Sequence, residues 1–274
     1  GCLGYSVYDD KKDKACINCD NYGKISITGT QATTSDVCVA GVACYVTTAS
    51  NDNTNLHNHE GADIYVNMES SNGKIHVGGV MYKSKAVLSN STNRGNITLE
   101  GKSGNTVYIG GILTSQNGQS RADLTNYGKI TLGMNAKGSC FVGGICYDGE
   151  WNKTWTNCHN HGDIEFTKKF TNTGNVRCGG ILGKHEKESH YNIYNGCSNS
   201  GNISFHGHSD SYVYLGGLIG HLQASVVAVV MNGFTNSGNI TYTGDVAGAD
   251  NVYLGGIFGR VNASSSFIRT TSTT

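Results

Sequence analysis

The 274-residue sequence contains no proline, so no residue interrupts an extended strand by withholding a backbone N–H. Charge is scarce. Asp, Glu, Lys and Arg make up 15% of the chain, and twenty basic side chains balance twenty acidic ones. A chain with no net field has little to attract phosphates, which argues against a nucleic-acid partner. No apolar run approaches the roughly 18 residues of a membrane span. The most apolar stretch, from Ala224 to Met231, is far shorter. No signal peptide is visible. Cys16 and Cys19 form the one CxxC, and without a second pair no zinc site is completed. A calcium-type Gly-Gly-x-Gly-x-Asp repeat is missing as well.

What the sequence has in quantity is glycine, 39 residues, accompanied by Asn, Ser and Thr. Such polarity can signal disorder, but here the apolar residues recur in fixed phase. One signature is Asn-x-Gly followed by an alternating apolar pair: Asn21-Tyr22-Gly23-Lys24-Ile25-Ser26-Ile27, Asn126-Tyr127-Gly128-Lys129-Ile130-Thr131-Leu132 and Asn236-Ser237-Gly238-Asn239-Ile240-Thr241-Tyr242 are three of its copies. Its glycines are Gly23, Gly61, Gly95, Gly128, Gly162, Gly201 and Gly238, spaced 33 to 39 residues apart. A second signature, apolar-x-apolar-Gly-Gly-apolar, follows each time, as in Val107-Tyr108-Ile109-Gly110-Gly111-Ile112 and Val213-Tyr214-Leu215-Gly216-Gly217-Leu218. A third apolar position sits two residues before six of the seven motif asparagines: Cys19, Leu56, Leu124, Cys158, Cys197 and Phe234.

Alternation with period two means strand. Three short strands per unit, with the same residue class at equivalent positions, predict an all-β parallel β-helix. This solenoid has about seven coils of 33–39 residues, each coil burying its inward side chains against its neighbours. A propeller blade would need four strands per unit. The Asn side chains are expected to form a ladder from coil to coil. The Gly-Gly pair marks a bend where a side chain would clash. Ile130, Ile164 and Ile203 should share one interior column. Cys19, Cys140, Cys158, Cys178 and Cys197 fall on inward positions and read as buried thiols. Cys38/Cys44 and Cys140/Cys146 are local pairs for which a bridge stays open.

Gly1-Cys2-Leu3-Gly4 looks like the tail of a Gly-Gly signature, and Ser266-Phe267-Ile268 like the opening of an eighth coil. Residues 1–274 therefore read as a single β-helix segment, cut in phase from a longer protein or a filament.

At Gly-Gly-Ile-Leu-Gly (179–183), Gly-Gly-Leu-Ile-Gly (216–220) and Gly-Gly-Ile-Phe-Gly (255–259) the sequence resembles the GLUG-type repeats of bacterial surface proteins. The final Gly of that pattern is missing from 110–114 and 143–147, so those copies are divergent. The resemblance implies a large secreted or surface-anchored adhesin, as in gut Bacteroidetes, and an extracellular or cell-surface location. It bears on architecture more than on function.

Parallel β-helices also host polysaccharide lyases and hydrolases, which need clustered carboxylates. Here the outward position of the first signature reads Ser26, Tyr65, Thr98, Thr131, Glu165, Ser204 and Thr241, one carboxylate in seven. Asp9-Asp10 is a carboxylate pair that reads as solvated. His57/His59 and His159/His161 bracket equivalent ladder positions three coils apart and cannot share a metal. The reading is therefore no enzyme, no cofactor and no metal, with a carbohydrate-active β-helix enzyme as the rival. The Ser/Thr row is too interrupted for ice binding. Of six sequons, at Asn90, Asn96, Asn152, Asn202, Asn239 and Asn262, three arise from the repeat's own Gly-Asn-Ile-Ser/Thr pattern.

The sharper feature is the outward position of the second signature: Cys38, His76, Tyr108, Phe141, Arg177, Tyr214 and Tyr253. An aromatic stripe there can stabilise by stacking. It can also bind sugar rings or a surface protein, or drive lateral assembly. Tyr108, Phe141, Arg177, Tyr214 and Tyr253 are the candidate partner-binding residues. The leading reading is a structural and adhesive segment, and a purely structural filament subunit joined end to end is the other alternative.

Overall fold

The computed structural model describes residues 16–31, 34–46, 52–116, 120–149, 154–186, 192–224, 229–247, 251–263 and 268–271. Among these residues every strand pairing is parallel and there is no helix. The described residues wind as a β-solenoid, and equivalent positions of successive repeats lie side by side. Four sheets run its length. Sheet I holds the strands that lead into the motif asparagines, such as Asn53–Asn58 and Arg121–Asn126. Sheet II holds the strands after the Asn-x-Gly corner, such as Ile64–Ser70 and Ile97–Ser103. Sheet III holds the seven strands that precede Gly-Gly, from Val37–Ala40 to Val252–Gly255. Sheet IV holds the seven that follow it, from Ala43–Val46 to Phe258–Ala263.

The sequence pattern singled out sheets I, II and III. Sheet IV is the addition: its strands are short and start two residues after the bend, so they looked like the tail of the second signature. Its Met81, Leu113, Cys146, Leu182 and Ile219 are nonetheless buried in one inward row.

The register is that of stacked repeats. Ile97, Ile130, Ile164, Ile203 and Ile240 are direct neighbours in order, and the first four are fully buried. Strand spacing places each about 4.8 Å from the next, close enough that every Ile side chain shields the two beside it from water.

The interior is divided. Ile64, Ile97, Ile130, Val107, Ile109 and Val142 form one core between sheets II and III. Leu56, Leu124, Cys158, Ile112, Ile145 and Leu182 form another between sheets I and IV. The two cores meet at a waist where the Asn corner packs on the Gly-Gly bend. A Cβ on Gly111 would lie 2.6 Å from Asn126 Cγ and 2.0 Å from the Gly144 carbonyl oxygen, so only glycine lets the two corners touch. Along that waist the asparagines form the expected ladder. Asn58, Asn93, Asn126, Asn160 and Asn199 each donate through Nδ2 to the Oδ1 of the next, at 2.7–2.8 Å.

A second ladder lies three residues earlier. Asn18, Asn55, Asn90, Asp123 and Asn157 all have positive φ, as do Gly196 and Gly233. Asn and Gly tolerate this left-handed conformation best. The kink lets residues three apart in sheet I both point inward: Arg121 with Leu124, Trp155 with Cys158, Tyr194 with Cys197. Arg121 is thereby fully buried, its guanidinium donating to the Ala86 and Ser120 carbonyl oxygens at 2.8 and 3.0 Å.

None of the nine described cysteines is in a disulfide. Cys140 and Cys146 lie in different cores, on opposite sides of the bend, so a bridge between them has no path. Gly1 to Gly4, Asp9-Asp10 and Ser266-Phe267 lie outside the described residues. Ile268–Thr271 pairs with Val229–Asn232 and continues sheet I as an eighth level.

Candidate functional site

The outward row of sheet III is in register: Cys38, His76, Tyr108, Phe141, Arg177, Tyr214 and Tyr253 are successive neighbours. All five candidate residues are thus brought together. They do not form a flat exposed stripe, however. The Gly-Gly bend is so tight that a Cβ on Gly110 would lie 1.9 Å from the Leu113 carbonyl oxygen. The outer faces of sheets III and IV therefore face each other across a re-entrant groove that runs along the rod. His76, Phe141 and Tyr214 are only 6%, 8% and 3% exposed, and Tyr108, Arg177 and Tyr253 are half-buried.

Within the groove the rings stack along the rod axis. His76 and Tyr108 lie 4.7 Å apart with planes 10° from parallel, and Tyr108 lies 5.4 Å from Phe141. The Arg177 guanidinium continues the stack, 5.1 Å from Phe141 and 6.0 Å from Tyr214. Tyr214 and Tyr253 follow at 5.2 Å. Ring faces are consumed by neighbouring coils, so what the groove offers outward is ring edges, hydroxyl tips and cations. This argues against sugar rings lying flat on the row, one of the ways a stripe of this kind could bind.

Sheet IV supplies the opposite wall. Tyr82 packs on His76, Tyr147 on Tyr108 and His221 on Tyr214. The cations come from both sides. Lys184 lies 5.4 Å from the Phe141 ring and Lys74 6.0 Å from Tyr108. Lys83 lies 5.7 Å from Tyr45. Arg260 donates to the Tyr214 hydroxyl at 2.8 Å and lies 5.2 Å from the Tyr253 ring. Five cations thus line a groove whose described carboxylates are Asp36, 3.6 Å from His76, and Asp148, a register neighbour of Lys184.

Burial sets the protonation here. Desolvation pulls the His76 pKa down to about 4, only partly offset by Asp36, so the ring is neutral near pH 7. Burial pushes the Tyr82 and Tyr147 hydroxyls up, which keeps them as donors. Burial, with Cys44 and Asp36 nearby, pushes Cys38 up to about 11, and burial also raises Cys44. Both remain thiols, with Cys44 Sγ donating to the Cys38 carbonyl oxygen at 3.4 Å.

A more exposed row went unnoticed in the sequence. The middle residue of Asn-x-Gly reads Tyr22, His59, Arg94, Tyr127, His161, Ser200 and Ser237. Tyr22 stacks on His59 at 4.0 Å, Arg94 on Tyr127 at 4.2 Å and Tyr127 on His161 at 5.0 Å. His57 and His159 bond Thr92 and Ser198 of the next coils, which makes the histidine pairs parts of polar ladders. Among the described residues no three His, Cys, Asp or Glu are grouped to hold a metal.

On the outer face of sheet II the carboxylates are dispersed and partnered. Glu69 pairs with Lys102, Glu100 accepts from the Tyr65 hydroxyl at 2.6 Å, and Glu165 pairs with Lys129 at 2.5 Å. Two depressions on that face are lined by Glu69 with Lys102, and by Glu100 with Thr98, Thr131 and Thr167. No protein-family model, curated protein or solved structure matches the chain.

Proposed function

We propose that this chain is a structural and adhesive segment of a surface-exposed repeat protein, and that its groove between sheets III and IV binds an extended acidic glycan. The observation that carries the reading is the cation–aromatic lining, in which Lys74, Arg177, Lys184 and Arg260 converge on one stacked row and Lys83 lies over Tyr45 of the facing sheet, in a chain with no net charge. Phe141, Tyr214 and Tyr253 hold the guanidinium groups in place, and tyrosine hydroxyls add donors at the rim. Carboxylate or sulfate groups meet that donor set best. The coils repeat at about 4.8 Å, which is close to the advance of one pyranose unit, so successive coils can serve successive sugars. The resemblance to GLUG-type surface repeats points the same way. The separated, partnered carboxylates of sheet II favour binding over glycan cleavage.

The test is a screen of the chain against neutral and acidic polysaccharides, with the double variant Arg177→Gln/Arg260→Gln alongside. Acidic polysaccharides should bind, more weakly with added salt, and the double variant should lose at least about tenfold in affinity while keeping its melting temperature within a few degrees. Preference for neutral glycans, or unchanged binding by the double variant, refutes the reading. Appearance of new reducing ends or unsaturated products would select the enzyme alternative. Growth of linear polymers without ligand would select the filament.

A further inference from the structure

We propose that Cys16 and Cys19 are a redox-closable pair, a disulfide clip at the first described corner of sheet I formed by exchange with a low-molecular-weight disulfide. In an unbroken strand, residues three apart point to opposite faces. Here Asn18, at φ 53°, takes the left-handed conformation between them and turns both side chains to the same side. Their register partners confirm the placement: Ile17 lies beside Thr54 and Cys19 beside Leu56, and Leu56 is inward and fully buried. Cys16 sits over Asn53, whose Oδ1 accepts its backbone N–H at 2.9 Å.

The two sulfurs are 3.3 Å apart, with the Cys16 thiol aimed at Cys19 Sγ. The same two positions in the next coils hold Asn53/Leu56, Leu88/Ser91, Arg121/Leu124, Trp155/Cys158 and Tyr194/Cys197. Only this coil, among the described residues, places sulfur at both. Access differs as well. Cys19 is partly exposed, whereas Cys140, Cys146, Cys158, Cys178 and Cys197 are buried.

The chemistry balances as two exchanges. The Cys19 thiolate attacks one sulfur of the small disulfide, forming a mixed disulfide and releasing one thiolate. Cys16, losing its proton to solvent, then attacks Cys19 Sγ and expels the second thiolate. The protein loses two electrons and two protons, and one small disulfide becomes two thiols. The left-handed Asn18 holds the resolving sulfur at contact distance, which favours closure over a lasting mixed disulfide.

The folded chain is incubated with oxidised glutathione, blocked with N-ethylmaleimide and cut after Lys14 and Lys24. The peptide 15–24 should be lighter by two hydrogens and carry neither label nor glutathione, and reductant should restore double labelling. Asn18→Val, which disfavours positive φ, should slow closure at least about tenfold, and Asn18→Gly should restore it. Lasting glutathione on Cys19, two maleimide labels on this peptide, or a bridge confined to Cys38 and Cys44 would overturn the proposal. Equal closure in all three sequences would overturn the role given to Asn18.

Discussion

Replacing Asn160 with Ala is the most informative single change to the waist. Asn160 is fully buried. Its Nδ2 donates to the Gly162 carbonyl oxygen at 2.8 Å and to Asn199 Oδ1 at 2.7 Å, and its Oδ1 accepts from Asn126 Nδ2 at 2.8 Å. The truncation strands three polar groups: the Gly162 carbonyl, Asn199 Oδ1 and one hydrogen of Asn126, which keeps its bond to the Gly128 carbonyl. Each stranded buried group costs about 1–3 kcal/mol, so with partial relaxation the loss should be about 3–6 kcal/mol. That is a large share of the roughly 5–15 kcal/mol that holds a typical domain. Asn236→Ala is the control. It is half-buried, accepts from Asn199 at 2.8 Å and, among the described residues, donates to the Gly238 carbonyl oxygen, so it should lose about 1–2 kcal/mol. The assay is urea unfolding followed by circular dichroism, with hydrogen exchange to show where opening begins, because stacked repeats can melt in parts. Equal, sub-kilocalorie losses for the two variants would refute the argument that the ladder is a buried, continuous network.

Gly216→Val should be far more damaging than Ser204→Val. A Cβ on Gly216 would lie 1.9 Å from the Ile219 carbonyl oxygen, while Ser204 faces outward between Glu165 and Thr241. Thermal melts that coincide for the two would contradict the tight bend. Acid sensitivity should trace to His76. An unfolded histidine takes a proton as pH falls below about 6.5, whereas His76 stays neutral until about 4. Its contribution is therefore fully present above pH 6.5 and lost between pH 6.5 and 4, by up to about 3 kcal/mol. His76→Phe should flatten that part of the stability–pH curve, and an unchanged slope would assign the sensitivity elsewhere.

The repeat, the Asn ladder and the Ile column were legible in the sequence because stacking in register demands the same residue class at the same phase. The alternation also locates the outward row of Tyr108, Phe141 and Tyr214 on its sheet face. It says only which side of the local backbone a residue takes. It cannot say that the bend after Gly110 folds two outer faces onto each other, so a row that looked like an exposed stripe lies half-buried in a groove. The division into two cores escaped for the same reason: Ile109 and Ile112 look alike in the sequence but belong to opposite sides of the waist. The left-handed corner did leave a signal. The residue three before each ladder Asn reads Asn18, Asn55, Asn90, Asp123, Asn157, Gly196 and Gly233, the types that tolerate positive φ. Sheet IV left the weakest trace, since one outward position reads Tyr82, Thr114, Tyr147, Gly183, Gly220 and Gly259, a residue class that changes partway along the chain.

Successive repeats lie directly over one another with parallel strands, and methyl–methyl nuclear Overhauser effects in a chain labelled only at isoleucine test this most directly. The register places Ile97, Ile130, Ile164 and Ile203 in one file, so cross-peaks should link them in that order at about 4.8 Å per step, with Ile97 to Ile164 much weaker. A spectrum in which Ile130 shows no contact with Ile164, or Ile164 none with Ile203, would contradict the solenoid and the groove built on it.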